Sequence, residues 1–256
     1  MLKLYHIMTV LEKMNAHTRD ANIVFDEGPH TYTLNGSPIT FTSVTTLIHH
    51  QFEQFDAERI LDKIFKKNPL PEKYQGKTRE SLKAEWEDNR NQAATAGTQL
   101  HQNIEDYFNG RSIDNDSVEW QYFLKFHTDN IHLKPYRTEW VVYDEDISLA
   151  GSIDMVTQNP DGTLTIYDWK RSREIAKTNG FNKFSTNPII EHIPDSNFWH
   201  YSLQLNTYKA ILERKYSKTV KELFLVCLHP NQKSYQVLKC PDLQDEVRKL
   251  FAEREK

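Results

Sequence analysis

Thiols are nearly missing from this chain: among 256 residues only Cys227 and Cys240 carry one. Two cysteines without framework spacing exclude a disulfide scaffold and suit a reducing compartment. Long apolar runs are missing as well. None approaches the roughly 18 residues of a membrane span, so no membrane partner is expected. The opening Met1-Leu2-Lys3-Leu4-Tyr5-His6-Ile7-Met8 has no proper apolar stretch of the secretory kind, and the few basic residues through Arg19 make only a weak transit peptide. A cytoplasmic protein is the default expectation, with a mitochondrial address left open. A surplus of positive charge is also absent, because 32 Lys and Arg face 36 Asp and Glu for a formal net charge of −4. That balance counts against gripping a long polyanion by charge alone. No internal repeat or low-complexity segment stands out.

What is present supports a packed globule, with 38% hydrophobic and 12% aromatic residues in a chain long enough for one domain with an accessory region or two small ones. Ile23-Val24-Phe25, a Gly28-Pro29 turn, Thr31-Tyr32-Thr33-Leu34 and an Asn35-Gly36 turn predict a small antiparallel meander. Ser43 is placed to cap a short helix beginning near Val44. Residues 52–85 read as charged helix broken around Asn68-Pro69-Leu70-Pro71, an arch or cap. Beyond it the periodicities predict helices at about 88–108 and 117–130, strands near 138–143, 148–157 and 163–170, a helix over 198–215, strands at 222–228 and 233–239, and a last helix from 241. The division expected is residues 1–86 as meander and cap, and 87–256 as core. Thr178–Ser196, with two prolines and little periodicity, is expected to be a long loop that contacts substrate.

The most informative stretch is 151–170. Leu164, Ile166, Asp168 and Lys170 share one parity, so a strand sends Asp168 and Lys170 out together at its end. Asn159-Pro160-Asp161-Gly162 is a turn cluster, and folding back there sets Asp154 beside Asp168. Two carboxylates so close repel each other unless a cation lies between them, and oxygen ligands suit Mg²⁺ or Mn²⁺. Such an ion can polarise a phosphodiester and lower the pKa of bound water. Lys170 beside it has two possible roles: to orient or deprotonate the attacking water, or to stay protonated and neutralise a pentavalent phosphate. Asp and Lys at a strand end are also what an ordinary solvated hairpin rim looks like. The distant features below favour the chemical reading.

Upstream, Ala96, Leu100, Ile104 and Phe108 form a helical stripe with His101 at its edge. Gly97, one turn before, leaves the surface over His101 open to a ligand or metal at about 1 kcal/mol of helix propensity. Downstream, Tyr201, Leu205, Tyr208 and Leu212 form another stripe. Gln204 shares a face with Tyr208, an amide and a phenol able to hydrogen-bond phosphate or stack on a base, unless the helix is simply packed.

These pieces together resemble the RecB-like branch of the PD-(D/E)XK nuclease superfamily. The recurring order of that branch is a helix His, a strand Asp, (Asp/Glu)-x-Lys, then a Gln-x-x-x-Tyr helix. Here they are His101 in Gly97-Thr98-Gln99-Leu100-His101, Asp154 in Gly151-Ser152-Ile153-Asp154, Asp168-Trp169-Lys170, and Gln204-Leu205-Asn206-Thr207-Tyr208. The likeness spans about residues 90–240 and is nearest to stand-alone exonucleases of the mitochondrial genome-maintenance type and their phage counterparts. Thr42-Ser43-Val44-Thr45-Thr46-Leu47 resembles a segment near their start.

The resemblance implies an α/β fold, a restriction-endonuclease-like core with a central mixed β-sheet flanked by helices, plus the N-terminal hairpin and helical cap. It implies Asp154, Asp168 and the Trp169 carbonyl as metal ligands, His101 as a further ligand, Lys170 as catalytic lysine, and Glu139 in Thr138-Glu139-Trp140 as a loosely matched acid. Relatives often carry a proline before the first acid, which is missing here. Some hold an iron–sulfur cluster on four cysteines, and two cysteines leave none to expect.

The activity implied is a Mg²⁺- or Mn²⁺-dependent deoxyribonuclease, an exonuclease on single-stranded DNA or DNA ends in replication, recombination or repair, whose partners would be DNA and possibly proteins of those pathways. An endonuclease of the same fold and a non-catalytic DNA-binding subunit are the alternatives. Aromatics near the proposed site, Trp169, Tyr201 and Tyr208, would favour unpaired bases. Gln204, Tyr208, Arg171 and Arg173 are the expected DNA contacts. Two basic clusters could line a groove, one of Lys63, Lys66, Lys67, Lys73, Lys77, Arg79 and Lys83, the other of Lys170, Arg171, Arg173, Lys177 and Lys183. A charge run among glutamates is equally the pattern of a solvated face.

Overall fold

The computed structural model of the chain describes residues 8–26, 28–29, 31–35 and 39–255. A short helix α1 (Val10–Met14) opens on a capping box, in which the Thr9 side chain accepts from the Glu12 amide. Strands β1 (Ile23–Asp26) and β2 (Thr31–Leu34) form an antiparallel pair, and Thr33 bridges Thr40. The expected meander is therefore a hairpin with one further bridge; Gly36 of its expected second turn lies outside the described residues. Strand β3 (Thr42–Ser43) leads into α2 (Val44–His49), whose start is set as expected, the Ser43 hydroxyl accepting from the Thr46 amide at 3.0 Å.

Next come α3 (Ala57–Phe65), α4 (Arg79–Phe108), α5 (Val118–Asp129), the strands β4 (Pro135–Asp144), β5 (Leu149–Gln158) and β6 (Leu164–Lys170), helix α6 (Asn197–Lys215), strands β7 (Val220–Cys227) and β8 (Gln236–Lys239), and helix α7 (Gln244–Arg254). Sheet neighbours run β3-β5-β6-β7-β8, with β4 paired along β5. The β6–β7 pair is parallel and its crossover contains α6, whereas β4–β5, β5–β6 and β7–β8 are antiparallel. This is an α/β fold with a mixed central sheet flanked by helices. Among the described residues no helix is long and apolar enough to cross a membrane.

Two apolar clusters sandwich the sheet. Leu164, Ile166 and Val156 pack with Leu203, Ile211, Val247 and Phe251 of α6 and α7. Met155, Tyr167 and Trp169 pack with Leu100 and Ile104 of α4 and Phe123 and Phe126 of α5. The alternation along β6 thus sends odd residues to one layer and even residues to the other, which leaves Asp168 and Lys170 in register with the α6 side. Arg137 and Asp20 staple the N-terminal segment to β4: Arg137 Nη1 donates to Asp20 Oδ2 at 2.7 Å and Trp140 Nε1 to Oδ1 at 3.0 Å.

Helix α4 is nine residues longer at its start than the expected 88–108. Thr78 and Ser81 form a reciprocal cap, at 3.1 and 2.9 Å, that no apolar periodicity marks. From Lys83 through Gln99 not one residue of α4 is buried. Its first turn is held to α3 by Arg79, which bridges Glu58 and Asp62 at 2.8 Å each, and by Lys83 paired with Glu58. In the first basic cluster Lys77, Arg79 and Lys83 are all spent on such ion pairs within the cap. The residue 86/87 boundary expected from sequence falls inside this one helix.

Candidate active site

The hairpin joining β5 and β6 turns as its residues require. Asn159 N donates to the Thr163 carbonyl at 2.8 Å and Gly162, at φ +84°, donates to the Asn159 carbonyl at 2.9 Å. The β5–β6 ladder ends at Met155↔Tyr167, and beyond it β6 continues only beside β7. Where the strands part, the side chain of Asp154 takes over from the backbone: Trp169 N donates to Asp154 Oδ2 at 2.8 Å. The opening so formed holds Asp154 and Asp168, both buried.

Lys170 Nζ lies 2.8 Å from Asp168 Oδ2 and 4.5 Å from the centre of the Tyr201 ring on α6. Burial works against the Lys170 charge, but Asp168 and Asp154 outweigh it and push its pKa up. Lys170 thus combines a raised pKa with a close carboxylate partner in Asp168. Burial raises Asp168 to about 7, with the Asp154 charge adding to it and Lys170 opposing. Asp154 is also raised, first by burial and also by Glu139, against the pull of His101.

Helix α4 delivers His101 from the other side. Its Nε2 donates to the Trp169 carbonyl at 2.9 Å, and its Nδ1 lies 3.6 Å from both Glu139 Oε1 and Asp154 Oδ2. Burial lowers the imidazole pKa, yet Asp154 and Glu139 overcome it and lift the value to about 9. Glu139 itself sits at φ +43° in β4. A non-glycine residue in that region costs roughly 1–3 kcal/mol, and such strain gathers at functional positions. The β4–β5 register runs on unshifted from Thr138↔Met155 to Trp140↔Ile153, and between them the Glu139 carboxylate reaches within 3.6 Å of His101.

His101, Glu139 and Asp154 place one ligand atom each within 4.8 Å of one another. Two carboxylates and an imidazole, two of the three oxygen donors, fit a divalent cation, which would relieve the Glu139 repulsion that adds to burial in raising Asp154. Asp168 is outside that close trio and faces Lys170 instead. The Trp169 carbonyl, expected as a ligand, is engaged by His101.

The helix α6 pair is together as the four-residue spacing predicts, Gln204 Nε2 donating to Tyr208 Oη at 3.3 Å. Tyr208 is only 3% exposed and Trp169 1%, so neither presents a ring to a base as their proximity in sequence suggested. Tyr201 is half-buried beside Lys170. Arg171 donates from Nε to Glu119 Oε1 at 2.6 Å, while Arg173 is exposed. Ser152 was not singled out by the sequence reading. Its hydroxyl donates to Glu139 Oε2 at 2.9 Å, and its place two residues before Asp154 on one strand was the signal available.

A family model described as the PD-(D/E)XK nuclease superfamily matches residues 43–255. No curated protein sequence matches the chain. Similar solved structures include the protein SSO0001, at 14% identity over 95% of this chain and 80% of that one with a TM-score of 0.34. Another is a "Putative exonuclease" from Eubacterium rectale, at 11% identity over 59% of this chain and 68% of that one with a TM-score of 0.28.

Proposed function

Since this chain belongs to the PD-(D/E)XK nuclease superfamily, we propose that it is a Mg²⁺- or Mn²⁺-dependent deoxyribonuclease acting as an exonuclease on single-stranded DNA or DNA ends, in replication, recombination or repair. The observation that carries this reading is the meeting of Asp154, Asp168, Lys170, His101 and Glu139 where β5 and β6 diverge. Asp154, Glu139 and His101 would hold the cation, with Asp168 and the Trp169 carbonyl as the further proposed ligands. When bound, the ion would polarise the scissile phosphate and supply a hydroxide-like water.

The chain's own groups do the rest. Lys170, its pKa pushed up by Asp168 and Asp154 and its ammonium paired with Asp168, would offset the negative charge that grows on the phosphate oxygens. Asp168 holds that ammonium in place, and Tyr201 walls its far side. Ser152 fixes the rotamer of Glu139. Arg171, Arg173 and Gln204 are the proposed strand contacts around the opening. Residues 1–86 would act as hairpin and cap and 87–256 as the nuclease core, with α4 running from one into the other.

The test incubates an end-labelled linear single strand and its circular counterpart with the protein, in Mg²⁺ or EDTA, beside Asp168→Ala. Metal-dependent loss of the linear strand alone, absent in the variant, is the expected result. Cutting of the circle would make the enzyme an endonuclease. Binding without cleavage of either in Mg²⁺ or Mn²⁺ would make it a non-catalytic subunit.

A further inference from the structure

The Lys170 side chain carries a charge into a place where only 17% of its surface meets solvent, so something must hold it there. Among the described residues two groups approach its ammonium, Asp168 Oδ2 at 2.8 Å and the ring of Tyr201, whose centre is 4.5 Å away. Asp168 has a second claim on it. It is a proposed ligand of the cation, and a carboxylate drawn to a divalent ion has less charge left for a lysine. Tyr201 has no such claim. Burial raises the pKa of its phenol, so the ring stays neutral, and the negative face of a neutral ring attracts an ammonium most strongly where water is excluded.

The ring is placed by rigid means. Tyr201 lies one turn into α6, and the start of α6 is stapled to the segment that leaves β6 after Lys170. Asn197 Oδ1 accepts from Ala176 N at 2.8 Å, Asn197 Nδ2 donates to the Glu174 carbonyl at 2.7 Å, and Trp199 Nε1 donates to the Lys177 carbonyl at 2.9 Å. Phe198 N adds a bond to the Ala176 carbonyl at 3.3 Å. Asn197, Tyr201 and Leu205 follow one another at four-residue steps and share a face of the helix. Leu205 is fully buried in the core that α6 shares with the sheet, so the face carrying Tyr201 is fixed at both ends.

This placement counts against the stacking role that nearness to the motif suggested for Tyr201. The ring is half-buried, and a face given to an ammonium is closed to a base. It suits a holding role instead. An ammonium has three hydrogens; the carboxylate and the ring draw on two of its directions and leave one for a phosphate oxygen.

We propose that Tyr201 is a positioning residue for Lys170, its ring keeping the ammonium on the α6 side of the opening when the cation draws on Asp168. The catalytic consequence rests on the nuclease reading; the placement of Lys170 by the ring does not.

The test compares the native chain with Tyr201→Phe, Tyr201→Leu and a chain carrying pentafluorophenylalanine at position 201, a ring of phenylalanine's shape without its negative face. Three quantities are measured: single-turnover cleavage of an end-labelled linear strand in Mg²⁺, strand Kd by anisotropy in EDTA, and the NMR signal of the Lys170 ε-methylene in metal-free protein labelled at its lysines, assigned by its loss in Lys170→Met. Tyr201→Phe should keep the rate within about threefold of native and keep the upfield ring-current shift of Lys170. Tyr201→Leu should lose that shift, and both it and the fluorinated ring should slow cleavage about tenfold, with Kd within about threefold. Circular dichroism accompanies each protein, and if Tyr201→Leu does not fold the fluorinated ring decides. Native rates in Tyr201→Leu or the fluorinated chain, or a Tyr201→Phe as slow as Tyr201→Leu, would overturn the proposal. So would a Kd that rises in step with the loss of rate, which would make Tyr201 a strand contact. A native chain that cleaves nothing in Mg²⁺ or Mn²⁺ removes the nuclease reading, and the Lys170 signal then decides by itself whether the ring holds the ammonium.

Discussion

A Cβ placed on Gly151 would meet Tyr208 Cε1 at 2.8 Å and Tyr208 Oη at 3.0 Å. The ring of the Gln204-x-x-x-Tyr208 helix therefore lies directly on the backbone of β5, three residues before Asp154. Tyr208 is buried and has no room to withdraw. Gly151→Ala should cost about 1–3 kcal/mol in urea denaturation, as overpacking does, and should lower cleavage by shifting β5. Gly151→Ala combined with Tyr208→Leu should recover part of the lost stability; a double variant no more stable than the single would show that the clash is absorbed elsewhere.

Glu139 combines strain with a ligand position. Glu139→Gly removes both the carboxylate and the cost of φ +43°, so the variant should fold as stably as the native chain or better by up to about 1 kcal/mol. Glu139→Gln keeps the strain. Both should weaken Mn²⁺ binding by calorimetry, and only the glycine variant should gain in melting temperature. A glycine variant that melts lower would mean that the inverted backbone is stabilised by something besides its side chain.

His101 and Asp168 give the protein a pH signature without added metal. The imidazole, raised to about 9, contributes stability that is complete below about 6.5 and is lost as pH rises through 9. Asp168, raised to about 7, contributes in the same direction in a lower window, its protonated form being favoured below its unfolded value near 3.8 and the benefit lost as pH climbs through 7. In EDTA the melting temperature should fall from pH 6 to pH 9.5, and the upper part of that fall should disappear in His101→Gln. A flat profile in the native chain would contradict the assignment.

Lys170 is predicted to act on the transition state. Lys170→Met should reduce single-turnover cleavage by at least about 10²-fold, the scale of losing one preorganised stabiliser, with single-strand affinity within about threefold of native. A parallel loss of affinity and rate would recast Lys170 as a binding residue.

Asp20 offers a control far from the chemistry. It receives Arg137 Nη1 and Trp140 Nε1 at a half-buried position, with Glu12 also 4.0 Å from Arg137, so losing one side should cost about 1–3 kcal/mol, below the figure for a fully buried pair. Asp20→Ala should lower stability by that order, while its cleavage at a temperature where it remains folded should be near native.

Elements governed by local rules were legible in the sequence. Strand alternation marked 163–170 and placed Asp168 with Lys170, the turn cluster at 159–162 returned the chain, and Ser43 capped α2. The start of α4 was not legible, because its first five turns bury almost nothing and apolar periodicity had nothing to register there. Glu139 was only a loose match, since no side-chain pattern reports a backbone φ. The aromatic contacts were misplaced for a related reason. Nearness to the motif in sequence put Trp169 and Tyr208 in view, but alternation on β6 turned Trp169 toward α5, and Gly151 drew Tyr208 into the core.

The chain's order of residue types by itself determined the secondary structure of the site and which groups could converge: an acid on each arm of a hairpin, a lysine two residues on, and a histidine and an amide on flanking helices. Short-range sterics and hydrogen bonding suffice for that, because period, cap and turn are local. Tertiary packing alone decided which of these groups touch. The splaying of β6 away from β5 made Asp154 a partner of the Trp169 amide, the fit of α4 against the sheet brought His101 between Asp154 and Glu139, burial there raised Asp154, and the two carboxylates raised His101 against burial. Those outcomes depend on distance and desolvation between segments far apart in the chain, quantities that no local pattern encodes.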